Sequence, residues 1–225
     1  IIKCINISPL SIGLGSISAA IIGGLLCSNF ILGNKLKIEK DILNMAVQIE
    51  GHPDNVAPAI LGGIISGVVK KEEDFKYIKI KPPKNLKAIV SIPDFYLSTE
   101  IARNILPKEI TRKDAIFNIS RAALLTSALF SNRLDLLEIA TEDKIHQDYR
   151  AKFIPNLNQL FKETKKAGAY SVTISGAGSS ILALTKDDKN IIEKVSKAMH
   201  YSFKKKNINS IIKVLNIPAK GIIIN

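Results

Sequence analysis

Pro9-Leu10-Ser11-Ile12-Gly13-Leu14-Gly15-Ser16-Ile17-Ser18-Ala19 sets a glycine-rich turn directly ahead of an apolar run that continues to Leu32. Upstream, Ile1 to Ile7 partly alternates apolar and polar residues and Ser8-Pro9 ends it, which predicts a strand. The order is then strand, glycine turn, buried helix. Such a turn leaves the first N–H groups of the helix free and aims the positive end of its dipole at whatever sits there, which suits an anion. Alone it is weak evidence, because glycines also let helices pack closely. A membrane span is the rival reading of residues 17–32, but Ser18, Ser28 and Asn29 interrupt a stretch that barely reaches spanning length.

The whole chain has 225 residues, 46% hydrophobic and 23% charged, enough for one large core or two modest ones. That excludes a disordered tail and a disulfide-stapled miniprotein. Cys4 and Cys27 lack metal-type spacing, so no zinc cage or disulfide framework is signalled and a reducing, cytoplasmic setting is expected. The net charge of +12 would suit nucleic acid or an anionic membrane. The lysines are scattered, however, and no aromatics interleave with runs such as Lys70-Lys71 and Lys204-Lys205-Lys206, so neither partner is expected. The chain opens Ile1-Ile2-Lys3 without a secretory signal or an initiator Met, and we expect further residues upstream.

Outward from the turn, apolar residues at Ile42, Leu43, Ala46, Val47 and Ile49 predict a helix from Ile38 to Glu50, stopped by Gly51. Gly51-His52-Pro53-Asp54-Asn55 is a loop carrying three polar side chains. Residues 56–69 read as a short helix, a Gly62-Gly63 break and a strand; residues 70–74 read as a turn and 75–81 as a strand. Pro82-Pro83 marks a domain boundary, giving domains of 1–84 and 85–225. In the second, strands are expected at 86–92, 169–174, 180–185 and 208–215. Helices are expected at 101–106, 111–130, 134–140, 157–167 and 187–206, with a start at Ser98-Thr99. This is an α+β layer with helices on one face of a sheet. A second glycine turn, Ser175-Gly176-Ala177-Gly178, lies within it. Two such turns, with Glu50, His52, Asp54 and Asn55 in one loop, point toward phosphate handling.

The first turn resembles the phosphate loop of the GHMP kinases, and Ser175–Gly178 resembles their third motif. Glu50-Gly51-His52-Pro53-Asp54-Asn55-Val56-Ala57-Pro58-Ala59 is similar to the signature of the homoserine kinase family within that superfamily. The likeness follows the chain in order over nearly all of its length. It implies a two-domain α+β GHMP fold, with an incomplete N-terminal ATP-binding domain and a ferredoxin-like C-terminal domain. It also implies transfer of the ATP γ-phosphoryl group to the side-chain hydroxyl of L-homoserine, a step toward threonine, at the junction of the two domains. A homodimer is left open.

On this resemblance, residues 9–19 (Pro9, Leu10, Ser11, Ile12, Gly13, Leu14, Gly15, Ser16, Ile17, Ser18 and Ala19) would cradle ATP together with Gly176 and Gly178. Glu50 would hold Mg²⁺, with Ser16 as its hydroxyl partner; carboxylate oxygen suits that hard cation. His52 and Asp54 would face homoserine, Asp54 meeting its ammonium group, while Thr99, Arg103 and Arg150 would bind its carboxylate. Asn55 stands where mevalonate-type relatives carry a catalytic Asp, so it would orient the hydroxyl without removing a proton. Phosphoryl transfer tolerates that, since its loose transition state asks little of the nucleophile.

Each residue also has a plainer reading. Arg103 and Arg150 as surface ion-pair residues, His52 as a turn cap, Glu50 as a solvated helix end and Thr99 as an N-cap would each be ordinary. The chain departs from the family at three places. Ile17 replaces the second Ser of Gly-Leu-Gly-Ser-Ser and cannot coordinate a metal, leaving Ser16 or Ser18 as substitutes. Ser179 replaces a Pro. The family's opening Asn-Leu-Gly-Pro-Gly-Phe-Asp type segment has no counterpart, an expected difference of about eighty residues. Another GHMP small-molecule kinase of mevalonate type, or a degenerate relative without turnover, are the alternatives.

Overall fold

Gly15 takes a left-handed conformation (φ +68°) that launches the first helix, α1, Ser16–Ile31. The computed structural model describes Lys3, Ile5 and residues 13–70 and 75–224. The strand expected over residues 1–7 and most of the turn at 70–74 lie outside the described residues. Two units form, one of Gly15–Pro82 with the segment from Ile217, the other of Gly13, Leu14 and Pro83–Asn216.

In the first unit, α1 ends in a turn stapled by Asn29, whose side chain donates to Leu36 O and accepts from Leu36 N (3.2 and 2.9 Å). The helix expected from Ile38 begins instead as a π turn over Ile38–Ile42 and becomes regular as α2, Leu43–Glu50, ended by Gly51 at φ +84°. Apolar spacing over five residues does not distinguish the two helix types, so this opening is invisible in sequence. Next come α3, Val56–Leu61, and an antiparallel hairpin of β1, Ile64–Val69, and β2, Phe75–Ile80, paired from Ile64 with Ile80 to Val69 with Phe75. The core of this unit gathers Ile22, Ile42, Leu43, Ala46, Val56, Ile60 and Phe75. Residues from Ile217 run back along α3, where Gly63 N donates to Pro218 O (2.7 Å). Gly62 (φ +70°) has no room for a Cβ there, which would lie 2.3 Å from Lys220 C.

Helix α1 is apolar on every side and 16 residues long, about 24 Å at 1.5 Å per residue against the roughly 30 Å of a bilayer core. Among the described residues, no helix is long and apolar enough to cross a membrane.

The second unit opens with β3, Leu86–Pro93, then α4, Thr99–Asn104, and α5, Arg112–Phe130. Ser98, not Thr99, caps α4, accepting from Ile101 N at 3.0 Å. A 3₁₀ turn leads into α6, Leu137–Ala140, followed by α7, Gln147–Arg150, and α8, Leu157–Lys166. The unit closes with β4, Ala169–Ile174, β5, Ile181–Lys186, α9, Lys189–Lys204, and β6, Ser210–Asn216. Asp188 caps α9, accepting from Asn190 N and Ile191 N, so the helix starts two residues later than expected. The sheet order is β4-β5-β3-β6, every pair antiparallel, a βαββαβ split of the ferredoxin-like kind.

One sheet face packs on α8 and α9 through Ile89, Leu160, Ile181, Val195, Met199 and Phe203. On the other face, Leu14 packs with Val90, Ile92 and Leu182. Phe203 is fully buried, so Phe203→Ala is expected to lower stability by about 3–5 kcal/mol. A shift in the urea midpoint, at unchanged slope, measures it; a loss under about 1 kcal/mol would mean that the site collapses around the gap.

Candidate active site

The two glycine turns of the sequence meet. Gly13, at φ +79°, lies so close to the second turn that a Cβ would stand 2.1 Å from Ser175 O. Ser175 Oγ donates to Gly13 O at 2.8 Å, and Gly178 N donates back to Ser175 O at 3.0 Å, closing the second turn. A side chain at Gly13 would wedge the turns apart, which is the physical reason for glycine there.

Arg150 braces this region. Its Nε donates to Ala102 O in α4 (3.1 Å) and its Nη1 to Gly176 O (3.0 Å), so it ties the helix carrying Thr99 and Arg103 to the second glycine turn. Burial lowers the Arg150 guanidinium from its ordinary value; Asp143 opposes this and the charge of Arg103 adds to it. Two guanidinium groups thus share one neighbourhood, a field that favours an anion.

Asp143 lies just upstream. It accepts from Ile145 N (3.3 Å), His146 N (2.8 Å), Gln147 N and Asn118 Nδ2 (2.5 Å), with the His146 ring beside it. Burial alone would raise its carboxyl, but these donors hold it well below the usual carboxylate range. Asn118 and Gln147 escape sequence reasoning, since nothing local marks a side chain whose partners are distant in sequence. Asp143 had one readable signal: it is an Asp in a polar stretch between helices, where such a side chain accepts from backbone N–H groups two and three residues on.

In the first unit, Gly15 packs against Asn55, whose Oδ1 would be 3.5 Å from a Cβ at Gly15. Asn55 precedes α3 without making a side-chain capping bond, so its amide is not spent on the helix start. The first turn of α1 and the loop after Glu50 are therefore neighbours. His52 Nδ1 pairs with Asp54 Oδ1, the Asp54 carboxylate being exposed. Glu50 ends α2 with Oε2 buried and unbonded, and Ser18 Oγ in α1 is likewise buried without a partner. Ile17 is 62% exposed and Ser18 1%. Two buried orphaned oxygens fit a hard cation, although among the described residues no cluster of three His, Cys, Asp or Glu forms a closed metal cage. Pro9, Leu10, Ser11 and Ile12 lie outside the described residues.

Residues 2–63 match the family described as GHMP kinases N terminal domain, and residues 125–201 match GHMP kinases C terminal. Homoserine kinase of Caldicellulosiruptor bescii is 46% identical over 192 residues, 85% of this chain and 62% of that protein. Homoserine kinase of Persephonella marina is 43% identical over 98% of this chain and 72% of its own length. The chain belongs to the homoserine kinase family. Against the crystal structure of homoserine kinase from Cytophaga hutchinsonii, the TM-score is 0.87 at 32% identity, covering 96% of this chain and 69% of that one. The two-domain α+β GHMP architecture is thus the fold of this homoserine kinase family member. It spans 62% of the length of the C. bescii relative.

Adding one methyl group at Gly13 should separate packing from propensity. Gly13→Ala is expected to destabilise by about 1–3 kcal/mol, because both the left-handed backbone and the Ser175 contact resist it. Gly24→Ala, in α1 with open space around it, should stabilise by about 0.5–1 kcal/mol. Thermal melts of both variants check the pair; equal shifts would remove the close approach as the cause.

Proposed function

We propose that the protein catalyses ATP-dependent phosphorylation of the side-chain hydroxyl of L-homoserine, giving O-phospho-L-homoserine and ADP. The observation that carries this reading is Arg150, bonded to Gly176 O and Ala102 O with Arg103 close enough to perturb it. It supports an amino-acid carboxylate held beside the glycine turns by Arg103 and Arg150, with Thr99 adding a hydroxyl. In the same reading Asp54, steadied by His52, takes the ammonium group. Gly13–Ala19, with Gly176 and Gly178, takes the triphosphate on backbone N–H groups. Pro9–Ile12 would extend that loop.

In the transfer, the homoserine hydroxyl oxygen bonds to the γ-phosphorus as the bond to the ADP oxygen breaks, and the hydroxyl proton departs to phosphate or solvent. Asn55 would orient that hydroxyl; an amide cannot serve as a base at neutral pH. Alignment and neutralisation of charge on the phosphoryl oxygens would carry the acceleration. Glu50 and Ser16 would hold Mg²⁺, which would supply positive charge against the phosphates.

ADP formation with MgATP tests this, with L-homoserine as acceptor and L-serine and mevalonate as controls. Turnover with homoserine alone is expected. Turnover with mevalonate instead would reassign the acceptor, and none with any alcohol would mark a fold without its chemistry. Arg103→Ala should raise the homoserine KM about tenfold to a hundredfold, the worth of one charged hydrogen bond, and leave the ATP KM within about twofold. An unchanged homoserine KM would take Arg103 out of the site. Ile17→Ser should tighten MgATP, read by nucleotide binding as Mg²⁺ is titrated. Unchanged binding would assign the metal to Glu50 and the serines already present.

A further inference from the structure

Helix α7 is only four residues long and has no side-chain cap of its own at His146. A helix this short does not hold itself, since nucleation costs more than one turn returns. What fixes it is the Asp143 carboxylate, three residues upstream of His146, which gathers the N–H groups of Ile145, His146 and Gln147 onto two oxygens. Asn118 in α5 anchors that carboxylate to the fold, donating Nδ2 to Asp143 and accepting Lys144 N at 3.0 Å. The far side is pinned by Gln147, whose Oε1 accepts from Ile174 N (2.9 Å) at the end of β4 and whose Nε2 donates to Thr141 O (3.3 Å). Arg150 follows Gln147 by three residues, one turn on the same face, and ends on Ala102 O and Gly176 O.

We propose that Asp143 is a positioning residue for homoserine binding: by capping α7 it sets where the Arg150 guanidinium stands. It touches no reacting atom and acts only through Arg150. This rests on the homoserine reading of the site, and the interaction is built from backbone donors, so the charge and both oxygens of the carboxylate are needed. Asparagine at this position would keep one acceptor and turn an NH₂ group toward N–H donors.

The experiment is a double-mutant cycle in the full protein, Asp143→Asn against Arg150→Ala, with KM measured for both substrates. Asp143→Asn alone should raise the homoserine KM about tenfold, the scale of one or two lost hydrogen bonds, and leave the ATP KM within about twofold. On the Arg150→Ala background it should add less than about twofold, because its route of action is already gone. Full additivity, or equal loss for both substrates, would overturn the proposal. A separate readout does not need homoserine: exchange of the Arg150 Nε proton, followed by NMR, should become at least about tenfold faster in Asp143→Asn. If wild type does not phosphorylate homoserine, the functional reading falls and the exchange rate still decides whether Asp143 holds Arg150; an unchanged rate would end the idea. Should Asp143→Asn fail to fold, Gln147→Ala cuts the tie to Ile174 N and must shift the same KM in the same direction.

Discussion

The close approach of Gly13 to Ser175 is the constraint on which the site depends. One hydrogen bond from Ser175 Oγ to Gly13 O joins segments far apart in sequence, and the approach is open because Gly13 carries no side chain. The same turn is where the chain passes from one unit to the other, Gly13 and Leu14 counting with the second and Gly15 with the first. Leu14 buries its side chain against Val90, Ile92 and Leu182, so the loop is anchored by apolar packing on one residue and left free to present N–H groups on the next. A phosphate loop needs both properties: its backbone must be rigid, and its donors must stay uncommitted.

Around that turn, electrostatics and hydrogen bonding are arranged in opposite senses. Arg150 is a cation held partly out of water, bonded to two carbonyls and with its pKa lowered from its ordinary value chiefly by burial. Asp143 is the reverse, a carboxylate surrounded by donors that stabilise its charge. The satisfied anion supports the structure through the backbone N–H groups it gathers.

Much of the fold was legible because its signals are local. The alternation of β2, the short apolar runs of β3 to β6 and the glycine stops after α2 and α8 each report on their own neighbourhood. A boundary moved where capping decided it: Asp188 sets the start of α9 by two side-chain hydrogen bonds, which periodicity does not encode, while Ser98 caps α4 at the start the sequence offers. The π turn before α2 was hidden because an apolar pattern looks the same at either pitch over so few residues. In the candidate site, the two glycine turns and the loop after Glu50 stand out in the sequence by residue type and spacing. What holds the site together does not, since the partners of Arg150, Gln147 and Ser175 are carbonyls and amides that every residue possesses. Only the folded chain says which of them is close.

The return of the chain to the first unit has a consequence for synthesis. Gly63 N is satisfied by Pro218 O, and Ile222 N reaches Ile60 O, so the edge of the α3–β1 corner is closed by residues the ribosome makes more than a hundred and fifty positions later. Until they emerge, the amide of Gly63 and the carbonyl of Ile60 must find water. The ferredoxin-like unit between them can assemble as soon as β6 is available, from segments that are contiguous from Pro83 to Asn216. Order of translation therefore opposes order of closure: the α3–β1 corner, made before the ferredoxin-like unit, is closed by residues made after it.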